Sequence, residues 1–232
     1  MTTSIGEVRY RSPKEVSKAW LQAEYDRQAD SWDQTLDRFS FPDAYRRLLE
    51  EERWRNPGRS VSVLDLGVGS GATSLAMIGA LRKQGILVSE LTGVDISARM
   101  LDKAKEKALS SGIAFRAIQA DTECLPFESG SFDFVIGAHV LEHLPRPLRA
   151  MAEVERLLTP GGSAIFMMTR CAPITVSIQK RWFVQCVRSK KLEAVLKDFG
   201  MENVRCTAYP WNLVANLLSF CCIAEKPGEV SE

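Results

Sequence analysis

Three short segments of this 232-residue chain join glycines or carboxylates to a strand-like lead-in. That is the arrangement by which backbone turns at a sheet edge hold a nucleoside. The first reads Asp65-Leu66-Gly67-Val68-Gly69-Ser70-Gly71. Its glycines permit a sharp turn and a close approach of backbone to ligand; alone, such a loop either serves a nucleotide or is only a tight turn. The second is Asp95, which follows at the spacing of about 20 residues found in nucleoside-binding patterns. At a strand end its carboxylate can accept hydrogen bonds from both ribose hydroxyls, or it can cap the helix that starts near Ser97. The third reads Asp121-Thr122-Glu123-Cys124-Leu125-Pro126-Phe127. There a carboxylate can receive an exocyclic adenine amine while a neighbouring N–H meets a ring nitrogen; a capped turn is the plainer reading.

His139 follows the apolar run Phe132 to Ala138 and is the candidate general base. Imidazole changes charge near neutrality and suits removal of a proton from an acceptor; a polar wall residue without a proton role is the competing assignment. Trp182, Phe183, Tyr209 and Trp211 lie in the stretches 171–187 and 209–216 and can line an apolar or aromatic pocket. Core packing accounts for each of them singly.

Periodicity indicates the elements that must position these groups. Ser12, Pro13 and Glu15 punctuate the start of a helix over 12–28, with Val16, Trp20 and Ala23 at helical spacing. A second helix is expected over 44–54, and both are candidates to cap a site. From Val61 onward strands and helices alternate. Strands are expected over 61–66, 88–95, 114–120, 132–138 and 163–169, with a closing pair over 204–209 and 217–224. Helices fill the gaps: one ending about Lys83, then 97–109, 147–158 and 189–199, the last stopped by Gly200. Pro160-Gly161-Gly162 reads as a turn. The stretch from Asp121 to Ser131 is near the lower limit of about a dozen residues for a parallel crossover and leaves no room for a full helix. Near-continuous apolar strands separated by helices specify an α/β fold with a mostly parallel sheet covered on both faces. Ligands then bind beyond the carboxyl ends of the strands.

Composition narrows the function. The formal net charge is +1, which gives the whole molecule no long-range pull on nucleic acid or on an anionic membrane. The longest apolar run, 213–224, is too short for the ~20 residues of a bilayer span, so no membrane insertion is expected. The N-terminus lacks the apolar region of a secretory signal. Six cysteines include no C-x-x-C pair and only two histidines accompany them, so no metal site is expected. The cysteines are expected to be buried free thiols of a reducing, cytoplasmic compartment.

Taken in order, D-L-G-V-G-S-G, G-V-D-I-S-A-R-M-L, A-D-T-E-C-L-P-F, S-F-D-F-V-I-G-A-H-V-L-E-H-L and L-T-P-G-G resemble the class I S-adenosylmethionine-dependent methyltransferases, nearest the quinone-biosynthesis-like small-molecule branch. The likeness is strong over 61–170. It implies a Rossmann-like, doubly wound seven-stranded sheet of order 3-2-1-4-5-7-6 with strand seven antiparallel and N-terminal cap helices. The chain is then one methyltransferase domain: cap 1–58, core 59–226 and tail 227–232. The resemblance implies S-adenosylmethionine as cofactor. Gly67, Gly69 and Gly71 would line its amino-acid part, Asp65 would act through the loop's shape, and Asp95 would hold the ribose. Ile96 and Met100 would pack on the adenine, and Asp121 and Thr122 would meet its edge. Ala138 and His139 would lie beside the methyl group and the acceptor. Tyr25 to Trp32, Y-D-R-Q-A-D-S-W, is similar to the family's N-terminal lid segment. Glu142 and His143 belong to L-E-H-L, which the family shares widely, and are expected to be structural.

The expected reaction is methyl transfer to oxygen or nitrogen, before carbon, of a small apolar or aromatic molecule. A non-methylating S-adenosylmethionine binder and a methyltransferase acting on protein are the alternatives. A nicotinamide oxidoreductase is disfavoured because the loop runs G-x-G-x-G and D-T-E-C-L-P-F has no part in it. Nucleic acid is not an expected partner, since no basic stripe or N-P-P-Y-like motif is present.

Overall fold

The structure, a computed structural model, describes residues 17–182, 184–209 and 211–228. The helix-start signals at Ser12, Pro13, Glu15 and Val16, and Phe183, lie outside the described residues. Among the described residues seven strands are formed: β1 (Val61–Leu66), β2 (Val88–Asp95), β3 (Phe115–Gln119), β4 (Phe132–Ala138), β5 (Leu158–Thr169), β6 (Glu202–Thr207) and β7 (Ser219–Glu225). They pair in the order β3-β2-β1-β4-β5-β7-β6. β1 to β5 run parallel, while β7 is antiparallel to both neighbours. The expected topology is therefore the observed one.

Alternation along the strands builds two cores. Val63, Phe134, Ile136 and Ile165 face one layer, and Leu64, Leu66, Val135 and Phe166 face the other. The first layer is covered by α3 (Phe41–Glu51), α4 (Ala72–Lys83) and α9 (Leu213–Leu218); the second by α6 (Pro147–Leu157) and α8 (Ser189–Asp198). In α3, Phe41, Ala44, Tyr45, Leu48 and Leu49 form one buried stripe at i, i+3, i+4, i+7 and i+8. α5 (Ala98–Ser110) covers the β2–β3 end. The edge strand β3 is short and half exposed, with charged and polar Arg116 and Gln119, which blunts it against further pairing.

Several boundaries differ from the sequence reading. α1 (Lys18–Gln28) starts where Ser17 accepts the Trp20 N–H at 3.1 Å. α2 (Trp32–Arg38) and α7 (Val176–Trp182) were not expected from periodicity. Leu217 and Leu218 end α9, which Asn212 caps by accepting from the Ala215 N–H at 2.9 Å, so β7 begins only at Ser219. Pro160-Gly161-Gly162 lies inside β5 as a bulge: Phe132 pairs with Leu158 but Phe134 with Ser163. No helix occupies 120–131.

The cysteine expectation is corrected. Cys171 is bonded to Cys186 and Cys206 to Cys222; only Cys124 and Cys221 are free thiols. Cys206 and Cys222 are register partners across β6 and β7. Cys171 and Cys186 meet because Val187 returns to bridge Arg170. Both pairings depend on tertiary register, which residue spacing does not reveal.

Candidate functional site

The carboxyl ends of the parallel strands and the helices α1 to α3 enclose a cavity of about 220 Å³. The loop after β1 forms its floor. Gly67 and Gly69 adopt left-handed φ values of 62° and 52°. A Cβ on Gly67 would stand 2.8 Å from a Val140 methyl, so the loop can pass there only without a side chain. Gly71 supplies the left-handed N-cap of α4. Asp65 is buried beneath this turn and accepts from the Ser74 hydroxyl; burial pushes its carboxyl up to about 7. Neither Asp65 nor Gly71 reaches the cavity wall.

Asp95 joins the first loop to the second. One carboxylate oxygen accepts the Gly69 N–H at 2.9 Å and the other the Ser97 N–H at 2.9 Å. Each oxygen keeps a further lone pair, which a ribose hydroxyl can use. Burial raises this carboxyl above the ordinary carboxylate range, against the backbone N–H groups that lower it. Ser97, not Asp95, is the side-chain cap of α5, accepting from Met100 N–H at 3.1 Å. Ile96, Asp121, Thr122 and Ala138 line the cavity with Asp95. Met100 is not among the residues that line it; it shares the buried stripe of α5 with Leu101, Ala104 and Ala108. Asp121 receives the Lys18 ammonium from α1 and the Glu123 N–H at 3.0 Å. Burial would raise the Asp121 carboxyl, but Lys18, the Glu123 N–H and the Arg146 charge together hold it below the usual range.

The other end of the cavity is built round His139. Its φ of 55°, rare for a residue with a side chain, turns the ring out of the line of β4. Nδ1 lies 3.1 Å from Glu142 Oε1 and 3.2 Å from Thr169 Oγ1. Glu142 is buried and also accepts the Thr169 N–H at 3.1 Å and the Thr169 hydroxyl. Burial would raise the Glu142 carboxyl; the adjacent His139 and these donors hold it below its ordinary value. The Thr169 proton is therefore spent on Glu142, and both groups near Nδ1 act as acceptors. Nδ1 carries the ring hydrogen and Nε2 the lone pair. Nε2 is buried and has no partner among the described residues, and the same holds for Thr122 Oγ1. Unpaired buried polar atoms are rare in folded proteins, and both belong to residues of the cavity wall.

The helices before β1 close the roof. Tyr25 lies 3.0 Å from His143 Nε2 and stacks on Trp182 with ring centroids 5.3 Å apart. Burial lowers His143 to about 4 and raises the Tyr25 phenol, so both are neutral. Trp32 stands edge-on to both Tyr25 and Trp182 and approaches Gly69. Asp26 accepts from Ser97 Oγ at 2.5 Å, and Asp33 from Ser70 Oγ at 2.5 Å and Lys107 Nζ at 2.6 Å. Leu36, Phe39, Phe41, Tyr45, Ile178 and Leu218 make the wall beside His139 apolar.

Of the large residues marked in the sequence, Trp182 lines the cavity, whereas Tyr209 and Trp211 do not. Tyr209 is fully buried beside Tyr45. Lys18, Leu36 and Thr169 were not marked in the sequence, Trp32 was marked only as the end of the lid segment, and Glu142 and His143 only as structural residues. Trp32, Thr35 and Leu36 carry helical spacing that could have revealed α2; nothing local marks Lys18 or Thr169.

Residues 64–166 match the methyltransferase-domain family. The chain is similar to a demethylmenaquinone methyltransferase of Staphylococcus aureus, 34% identical over 111 residues, covering 48% of this chain and 44% of that protein. The match thus spans under half the length of the curated relatives. Among solved structures, it is similar to the putative methyltransferase of Haloferax volcanii in complex with its Trm112 activator: TM-score 0.70, 18% identity, 91% of this chain and 100% of that one. A possible histamine N-methyltransferase of Thermotoga maritima gives TM-score 0.64, 16% identity, and covers 87% and 98%. At these identities the structures show a shared fold.

Proposed function

We propose that this chain, which belongs to the class I S-adenosylmethionine-dependent methyltransferase family, methylates an oxygen, or secondly a nitrogen, of a small apolar or aromatic molecule. The observation that carries this reading is His139: Nδ1 is fixed on Glu142 and Thr169, and Nε2 is unpartnered within an apolar wall beside the glycine loop.

The donor set fits the cofactor. The backbone about Gly67 and Gly69 would take its amino-acid end, Asp95 the ribose, and Ile96, Asp121 and Thr122 the adenine, for which the unpaired Thr122 hydroxyl is a ready partner. Tyr25 and Ala138 would border its reactive end. Bound there, S-adenosylmethionine supplies an activated methyl group, so the protein's share is placement and the handling of the acceptor's proton. Placement alone accounts for ~7–11 kcal/mol of such a barrier, and the ring cluster of Tyr25, Trp32 and Trp182 would roof the site. Nε2 of His139 takes a hydroxyl proton, and the buried Glu142 carboxylate balances the resulting imidazolium. The apolar wall beside His139 suits an uncharged ring or hydrocarbon body. The name of the Staphylococcus aureus relative, demethylmenaquinone methyltransferase, agrees with an acceptor of that kind.

Labelled methyl transfer from S-adenosylmethionine to panels of phenols, hydroquinones and amines tests the reading. Phenolic acceptors should react, and His139→Ala should cut turnover by about 10²–10⁴-fold with unchanged cofactor affinity. Cofactor binding without transfer to any panel would leave a non-methylating binder instead.

A further inference from the structure

We infer that the rim of the cavity formed by residues 170–182 and 184–191 with α9 docks onto the surface of an anionic lipid bilayer. The apolar part of that rim is α9 with the short helical turn 173–175. Ala215 and Leu218 face inward, Leu218 into the cavity wall, while Leu213, Val214 and Leu217 are exposed on the outer side, Leu213 by 72%. Ile174, on the neighbouring turn, is 54% exposed. Large aliphatic side chains grouped in this way mark an interaction surface more often than chance exposure does.

The charged part is its frame. Residues 170–191 include six cations, Arg170, Lys180, Arg181, Arg188, Lys190 and Lys191, and no Asp or Glu; 208–218 carries no charge at all. In a chain of net charge +1 this is a locally basic stretch. Arg170 is built into the base of α9, donating to the carbonyls of Asn216 and Ser219 at 2.8 and 3.0 Å. Lys180, Arg181, Arg188 and Lys190 are exposed. Among the described residues Glu24 of α1 lies 3.5 Å from Arg181, Glu193 follows Lys190 by one turn of α8, and Glu142 is buried.

Topology puts the parts at one edge. Arg170 follows the last residue of β5, Ser219 of β7 pairs with Thr169, and Val187, just before α8, bridges Arg170. All therefore lie at the carboxyl end of the sheet, where the cavity opens. Exposed aliphatics in a cationic frame match an anionic bilayer interface, where apolar contact and charge act together. The same frame repels a second copy of the chain. Ile178 of α7 and Leu218 of α9 line the cavity from within, so a lipid-dissolved molecule would pass from bilayer to cavity over one apolar surface.

Flotation of the full chain with vesicles of phosphatidylcholine alone, or mixed with phosphatidylglycerol, tests this. Binding is expected to the anionic vesicles only and to weaken with salt. The double variant Leu213→Ser, Leu217→Ser and the double variant Lys190→Glu, Lys191→Glu should each cut partitioning by about tenfold or more, with unfolding midpoints and cofactor affinity as in the unaltered chain. Equal partitioning on both vesicles, no binding to either, or variants that bind like the parent would overturn the inference. So would a concentration-dependent dimer that the leucine variant breaks. Vesicle binding is read independently of methyl transfer, so failure of this proposal and failure of the proposed reaction are separate results.

Discussion

An imidazole acts as a base only through the nitrogen that carries the lone pair, and at His139 the neighbours make that choice. Glu142 and Thr169 both accept at Nδ1, which leaves Nε2 as the basic atom. Glu142→Gln removes the carboxylate that fixes this tautomer and balances the imidazolium. It should lower turnover roughly tenfold or more while cofactor affinity stays as it was; equal turnover would reduce Glu142 to a structural contact of Thr169. Asp95 makes two roles inseparable. It braces the Gly69 and Ser97 N–H groups and can still accept ribose hydroxyls. Asp95→Ala should weaken S-adenosylmethionine binding by roughly 2–4 kcal/mol, with Asp95→Asn losing less because it retains one acceptor. Calorimetric titration reads both, and an unchanged dissociation constant in the alanine variant would remove Asp95 from the binding set.

The elements around the site are held by contacts of unequal kind. The loop after β1 is fixed by sterics: a methyl on Gly67 meets Val140 and the residue's φ is left-handed. Gly67→Ala should cost about 2–4 kcal/mol, part from backbone conformation and part from overlap. Val140→Gly removes the overlap alone, so urea unfolding of the two single variants and the double variant should show a coupling of at least about 0.5 kcal/mol. α1 and α2 are held by polar latches instead: Tyr25 to His143, Asp26 to Ser97, and Asp33 to Ser70 and Lys107. These pairs are partly exposed and individually weak. Asp33→Ala should therefore speed amide exchange through 32–38 by about 1 kcal/mol of local opening and leave global unfolding nearly unchanged.

Over the whole molecule, the buried Asp65 and the half-buried His143 give stability opposite dependences on pH. Asp65 is raised to about 7 in the fold. The stability it contributes is complete below the unfolded carboxyl value and is lost as pH rises through 7. His143 is lowered to about 4. Its contribution is present above the unfolded imidazole value of about 6.5 and is lost as pH falls through 4. Their slopes oppose one another between the two, so stability is flat there. Asp65→Asn mimics the protonated carboxyl and breaks the balance. It should be more stable than the unaltered chain by a few kcal/mol at about pH 8, with the gap closing toward pH 5; a gap independent of pH would mean that the folded carboxyl is not raised.

The order of strands and helices was legible in local pattern, because apolar periodicity and glycine turns are written within a few residues of where they act. β1, β2 and β4 fall on the runs marked in the sequence, and the three loops that meet at the cavity are the three singled out by residue type. Strand order followed only from resemblance, since a parallel strand's hydrophobicity does not name its neighbour. Tertiary structure alone decided the rest. It chose Trp182 over Tyr209 for the cavity, buried Met100, paired Cys206 with Cys222, brought Lys18 onto Asp121, and set Glu142 rather than solvent against His139. It also set Arg170 against the base of α9, whose outer leucines are exposed, a contact that a net charge of +1 does not announce. The physical reason is common to all of these. A sequence states what each residue can bond or bury, but which group meets it depends on chain segments tens of residues away whose approach is fixed only when the sheet closes its register.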